Sequence, residues 1–254
     1  METLGEDLVL LAIRPNGVIG TGAKLQYGLS GSELVRLAAL GRVSIQDGRI
    51  VVLDHTPTGD LLLDEALASM HDWVHDAQAW VGWDWYELVR RYLERLAAAG
   101  TIQLERRKAL GLITVAGWTV LDAGRLAAAR ARLDAIAHGT GGADTSATVL
   151  AGLAAAIGLP PLIYPGLRGS AARRRVTREA RGSRAATQMT QAAGNVAAVT
   201  PDVATRAATD AAVRAAADAS VQASIDAATQ AVESAATDAA HHATDGSGHA
   251  GGHH

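Results

Sequence analysis

Past Gly182 the chain supplies very few large apolar side chains. Residues 185–244 are mostly Ala, Thr, Asp, Ser and Val, and the end, DGSGHAGGHH, is rich in glycine. Alanine favours helix, but a stripe of Ala and Val buries little area. Acids recur at Asp202, Asp210, Asp218 and Asp226, a spacing near two helical turns. The pattern predicts an Ala-rich, partly helical or disordered tail over 183–254. The core must therefore come from residues 3–182, enough for one sizeable domain.

The chain has 254 residues, of which 48% are hydrophobic, with no Phe and only 4% aromatic residues. Leu, Ile, Val and Ala must build the interior, anchored by a few Trp and Tyr. The absence of Cys excludes disulfides, thiolate zinc sites and Cys nucleophiles. A net charge of −3 argues against bulk electrostatic binding to nucleic acid. The opening METLGEDLVLLAIR places acids before its apolar run, unlike a signal peptide. The uncharged stretch ATVLAGLAAAIGLPPLIY, Ala147 to Tyr164, approaches the length of a membrane helix. Its small residues and Pro160-Pro161 predict instead a buried helix ending at Leu159.

Local patterns predict a mainly α fold with short β-hairpins. A helix is expected over Leu4–Ala12, with Thr3 and Glu6 forming a capping box. A second is expected from Gly31 to Leu40, capped by Ser30 or Ser32 and ended by Gly41. VSIQDGRIVVL reads as a hairpin turning at Asp47-Gly48. In PTGDLLLDEAL, Asp60 suits a helix N-cap, and Asp64 and Glu65 suit the first turns. Leu61, Leu62 and Leu67 are expected to face inward. A helix from Trp83 to Ala99 should end at Gly100, followed by a second hairpin with Lys108–Leu112 near its tip. AGRLAAARARLDAIAHG reads as a further helix. The basic run Arg173, Arg174, Arg175, Arg178, Arg181 and Arg184 then reads as a solvated helix end or a contact with anionic lipid, or more weakly with nucleic acid, since no aromatic residues interleave with the arginines.

The blocks TLGEDLVLLAI, YGLSGSELVRLAALGRV, PTGDLLLDEAL and VRRYLERLAAAGTIQLERRKALGL, in this order, resemble the Golgi phosphoprotein-3-like family, including its bacterial members. The resemblance covers residues 3 to about 180. It implies a non-enzymatic, mostly helical domain with no cofactor, bound peripherally to anionic membrane on its cytoplasmic face. Golgi membrane and phosphatidylinositol 4-phosphate are implied by the eukaryotic members, which also link glycosyltransferase tails to a vesicle coat. A protein cargo, a coat-like partner and homo-oligomerisation are open on the same grounds.

The family's lipid-gripping residues transfer poorly. Ser30, in GLSG, stands where eukaryotic members carry Arg. An ungapped count puts Thr21 in the position of a Trp, and Tyr86 and Val89 at two basic positions. Arg90, Arg91 and Arg95 lie close by. The family's inserting hairpin corresponds to ERRKALGLITV. There Arg106, Arg107 and Lys108 precede the apolar tip Ala109, Leu110, Gly111 and Leu112. The candidate lipid-binding set is therefore Arg90, Arg91, Arg106, Arg107 and Lys108, with the tip residues as the inserting element. The alternative is a soluble interaction scaffold that has lost lipid recognition.

Other constellations point to no further chemistry. His71 and His75 have zinc-compatible spacing but no visible third ligand, and Asp72 replaces the Glu of a metalloprotease helix. The C-terminal histidines read as adventitious, so no metal site is expected. Trp73, Trp80, Trp83 and Trp85 read as packing anchors. GVIGTGAK lacks the spacing of a phosphate loop.

Overall fold

The structure is a computed structural model and describes residues 4–22, 24–46, 49–70, 76–82, 86–109, 113–139 and 145–179. It is mostly helical, as the sequence predicts, with two antiparallel strand pairs. The elements run α1 (Leu4–Ala12), α2 (Lys24–Ala39), β1 (Val43–Gln46), β2 (Arg49–Val52), α3 (Leu61–Ser69) and α4 (Ala77–Gly82). They continue as α5 (Tyr86–Ala98), β3 (Ile102–Ala109), β4 (Ile113–Val120), α6 (Ala123–His138), α7 (Thr145–Ala156) and α8 (Pro160–Ile163). A last helix, α9, covers 170–179.

Helices α1 and α2 form the centre of the packing. Leu4, Leu8, Val9, Leu10 and Ala12 are all buried, and α1 touches α2, α5, α6 and α7. Helix α7 explains the uncharged stretch. Ala147, Val149, Leu150, Ala151, Leu153 and Ala154 are buried around most of its circumference, the signature of an interior helix. It stops at Ala156, earlier than the predicted Leu159, because the chain turns through Gly158 at a φ of 76°. Pro160 then opens α8, where a missing N–H costs nothing. Among the described residues no helix is long and apolar enough to cross a membrane.

Helix α2 departs from the sequence reading. It begins at Lys24 rather than Gly31, so Ser30 and Ser32 lie inside it, fully buried, and cap nothing. Gly28, inside the helix, serves close packing. A Cβ there would lie 2.9 Å from the Ile157 side chain. The serine hydroxyls donate to carbonyls, Ser32 to Leu29 at 2.8 Å and Ser30 to Tyr27 and Val81 at 3.1 and 3.2 Å.

Both expected hairpins are present. Gln46 faces Arg49 across the first, leaving the Asp47-Gly48 connection, which lies outside the described residues. Ile102 faces Val120 and Ala109 faces Ile113 across the second. The residues between, Leu110, Gly111 and Leu112, are also outside the described set, as are Thr3, His71, His75, Trp73, Trp83 and Trp85. Trp80 is buried and donates its indole N–H to Ser69 Oγ at 3.0 Å, which fits a packing anchor.

Candidate functional site

The acids of PTGDLLLDEAL meet a network of arginines. Asp60 is the N-cap of α3, and its Oδ1 accepts from Leu62 N at 3.0 Å. Its other contacts are cationic. Arg36 of α2 donates to Oδ2 at 2.8 Å, and Arg95 of α5 grips both oxygens, with Nη1 at 3.0 Å from Oδ2. Burial alone would raise the Asp60 pKa. Hydrogen bonds from Arg95 and Arg36 outweigh it and hold the carboxyl well below the usual carboxylate range. Asp64 binds the preceding turn, accepting from Thr58 N at 2.6 Å and from Thr58 Oγ1 at 2.7 Å.

Behind Asp60 lies Glu33, fully buried on α2. Tyr92 donates its hydroxyl to it, and Arg36 approaches both carboxylate oxygens at 3.3 and 3.4 Å. Burial pushes the Glu33 pKa up to about 7, against the opposing pull of Arg36. Glu6 of α1 continues the network through ion pairs with Arg125 and, at 3.9 Å, with Arg95. Asp7, also on α1, pairs with Arg132 of α6. The network thus joins α1, α2, α3, α5 and α6. Every carboxylate in it is answered by a donor, so its chemistry is structural.

Leu62, Leu63 and Leu67 of the same stretch are buried, but Leu61 is 76% exposed and does not turn inward. It is the first residue of α3, on the side away from the core-facing Leu62 and Leu63.

Arg90 and Arg91 are both engaged. Arg90 is exposed and lies between Glu87 and Glu94 of its own helix, with Nε at 2.7 Å from Glu87 and Nη1 at 2.5 Å from Glu94. Arg91 pairs with Glu65 of α3. In the loop before α2, the Thr21 hydroxyl is buried without a hydrogen-bond partner among the described residues. Ser30 is buried and spends its hydroxyl on Tyr27 and Val81.

The second hairpin is rooted in the domain and grows more exposed along β3. Ile102 is buried, whereas Leu104 is half-exposed and Arg106 is exposed. Its root is clamped by the 13–19 loop: Trp118 N donates to Gly17 O at 2.8 Å, and a Cβ on Gly17 would come within 3.0 Å of Gly117 Cα. Beside this root is a largely apolar cleft of about 540 Å³, lined by Leu11, Ile13, Trp118, Leu126 and Leu162, with Arg14 and Arg130 at its edge. Arg106 has no carboxylate partner among the described residues. The side chains of Arg107, Lys108 and Ala109 lie outside the described set.

A family model described as Golgi phosphoprotein 3 (GPP34) matches residues 4–238. That is most of the chain. The protein belongs to the Golgi phosphoprotein 3 family. The matched span runs past Gly182 into the Ala-rich segment, so the family resemblance is not confined to the packed helices. No curated protein matches the chain. As a member of the Golgi phosphoprotein 3 family, the chain keeps the helical domain and both hairpins. Ser30 occupies the interior of α2, and none of the described residues forms a His/Asp/Glu group able to hold a metal ion. The network around Asp60 was not legible beforehand. Its one sequence signal was a set of acids, Glu6, Asp7 and Glu33, embedded in apolar helical runs.

Proposed function

We propose that this Golgi phosphoprotein 3 family member is a peripheral membrane-binding adaptor that docks on anionic bilayers through the β3–β4 hairpin. The observation that carries the reading is the hairpin's register. Pairing of Ala109 with Ile113 leaves Leu110, Gly111 and Leu112 as the connection, one residue beyond Arg106, Arg107 and Lys108. Cations behind a short apolar turn match the two layers of a bilayer surface. Each cation contributes about 1 kcal/mol near an anionic leaflet. A fully buried Leu adds about 1.5–3 kcal/mol. The sum is a weak, salt-sensitive attachment that oligomerisation or a bound protein partner would strengthen.

The preference is for anionic lipid in general rather than for phosphatidylinositol 4-phosphate. Ser30 offers no guanidinium fork for a phosphate, and its hydroxyl is already spent on backbone carbonyls. Arg90 and Arg91 each face a carboxylate. Their share in lipid binding is smaller than that of the hairpin cations. Flotation with phosphatidylcholine vesicles, alone and doped with phosphatidylserine or phosphatidylinositol 4-phosphate, tests the reading. Equal flotation with both anionic lipids at low salt, fading at high salt, is expected. No flotation with any anionic vesicle at low salt overturns it and leaves a scaffold without lipid recognition.

A further inference from the structure

A second cationic feature lies away from the hairpin, on α9. Ala172 and Val176 of this helix are buried, four residues apart, and fix its inner face. Arg174 and Arg178, also four apart, are exposed on the other side. They line a groove of about 600 Å³ with Arg173 and Thr177, and the opposite wall is Ala155, Gly158, Pro160 and Pro161. That volume lies within the range of small-molecule sites.

The three arginines of the groove differ in what they do. Arg173 is committed to the fold, since Nη1 donates to Tyr164 O at 2.5 Å and Gly166 O at 2.8 Å and so ties down the turn before α9. Arg174 and Arg178 have no carboxylate or carbonyl partner among the described residues. This sets them apart from Arg36, Arg90, Arg91, Arg95, Arg125 and Arg132, each of which is paired. The facing wall opposes them with no charge. Pro160 and Pro161 have no N–H to donate, and Gly158 leaves the space beside it open. Two guanidinium forks without a carboxylate partner among the described residues, a hydroxyl and an apolar wall are the complement of a phosphomonoester on a short carbon skeleton.

We propose that this groove between α9 and the α7–α8 corner binds a phosphomonoester, with Arg174 and Arg178 gripping the phosphate, Thr177 donating a hydroxyl and Pro160-Pro161 covering the carbon skeleton. The site is independent of the hairpin, so either reading can fail alone. The same chemistry is presented by a free organic phosphate and by a lipid headgroup ending in a phosphomonoester.

The test uses the full chain and two probes. One is glycerol 3-phosphate, followed by calorimetric titration. The other is phosphatidylcholine vesicles doped with phosphatidic acid, followed by flotation of the Leu110→Asp/Leu112→Asp variant, which removes the hairpin's contribution. Saturable binding is expected in at least one arm. It should weaken at least about tenfold in Arg174→Gln/Arg178→Gln, as for loss of a charge-assisted hydrogen bond. The exposed Arg49→Gln variant should bind unchanged. Binding of glycerol 3-phosphate assigns a soluble ligand, and binding of vesicles alone assigns a headgroup. Absence of saturable binding in both arms overturns the proposal, as does an equal loss in Arg49→Gln, which would mark a generic charge effect. Unchanged circular dichroism of the double variant separates a lost site from a lost fold.

Discussion

Arginines in the middle of this domain and arginines at its edges live in opposite electrostatic settings. Around Asp60, Arg36 and Arg95 converge on one carboxylate, and Arg125 and Arg132 are answered by Glu6 and Asp7. On the hairpin and on α9, Arg106, Arg174 and Arg178 have no such answer among the described residues. A count of basic residues treats these groups alike. Their neighbours separate them into cations that bind helices together and cations with no carboxylate partner among the described residues. Arg90 shows the difference most clearly, being exposed like Arg106 yet held by Glu87 and Glu94.

The largest expected effect comes from removing the carboxylate at the hub. Asp60→Ala deletes the α3 N-cap and leaves Arg36 and Arg95 facing each other. A loss of about 3 kcal/mol is expected, at the lower edge of the range for breaking a buried pair because Asp60 keeps some exposure. Urea denaturation measures it. A loss below about 0.5 kcal/mol would show that the network holds nothing together.

Gly5→Ala attacks the same network sterically. A Cβ on Gly5 would lie 2.3 Å from the Tyr92 hydroxyl, displacing the ring from Glu33. Overpacking of this kind costs about 1–3 kcal/mol. A thermal midpoint equal to that of wild type would mean that Tyr92 has room to move.

Glu33 gives a pH signature. Its pKa is raised by burial from 4.5 to about 7, so the folded state holds its proton more tightly than the unfolded state. Its contribution is therefore favourable below pH 4.5 and is lost as pH rises through about 7. The change is on the order of 3 kcal/mol. Asp60 has the opposite sign: its depressed pKa supplies stability above 3.8 that disappears only in stronger acid. Glu33→Gln should flatten the stability profile between pH 4.5 and about 7 while leaving the acid limb in place. An unchanged slope would place the titration elsewhere.

The smallest effect is at the surface. Arg90→Gln should alter stability by less than about 0.5 kcal/mol and leave vesicle affinity unchanged, since its charge is already balanced. Arg106→Gln should lower affinity for phosphatidylserine vesicles about fivefold, the equivalent of about 1 kcal/mol for one cation. Equal effects from the two would erase the distinction drawn between paired and unpaired arginines.

Local rules recovered the elements whose signals are local. The pairing of Gln46 with Arg49, the Asp60 cap and the second hairpin each follow from residues a few positions apart. The interior helix α7 could be read from its lack of charge. Helix α2 starts at Lys24 rather than Gly31 because Ser30 and Ser32 look like caps locally but are buried within the helix, where Gly28 admits Ile157 from far along the chain. The ion network was invisible for the same reason. Tyr92 reaches Glu33 across 59 residues, and Arg125 reaches Glu6 across 119. The family blocks located the hairpin, but only the side-chain partners show that Arg90 and Arg91 are taken up by Glu87, Glu94 and Glu65.

The most direct test of the membrane reading is flotation of Leu110→Asp/Leu112→Asp on phosphatidylserine vesicles at low salt, beside wild type. The account predicts that wild type floats and the double variant stays in the dense fraction, with both showing the same helical circular dichroism. Equal flotation of the two proteins would contradict the hairpin as the point of contact.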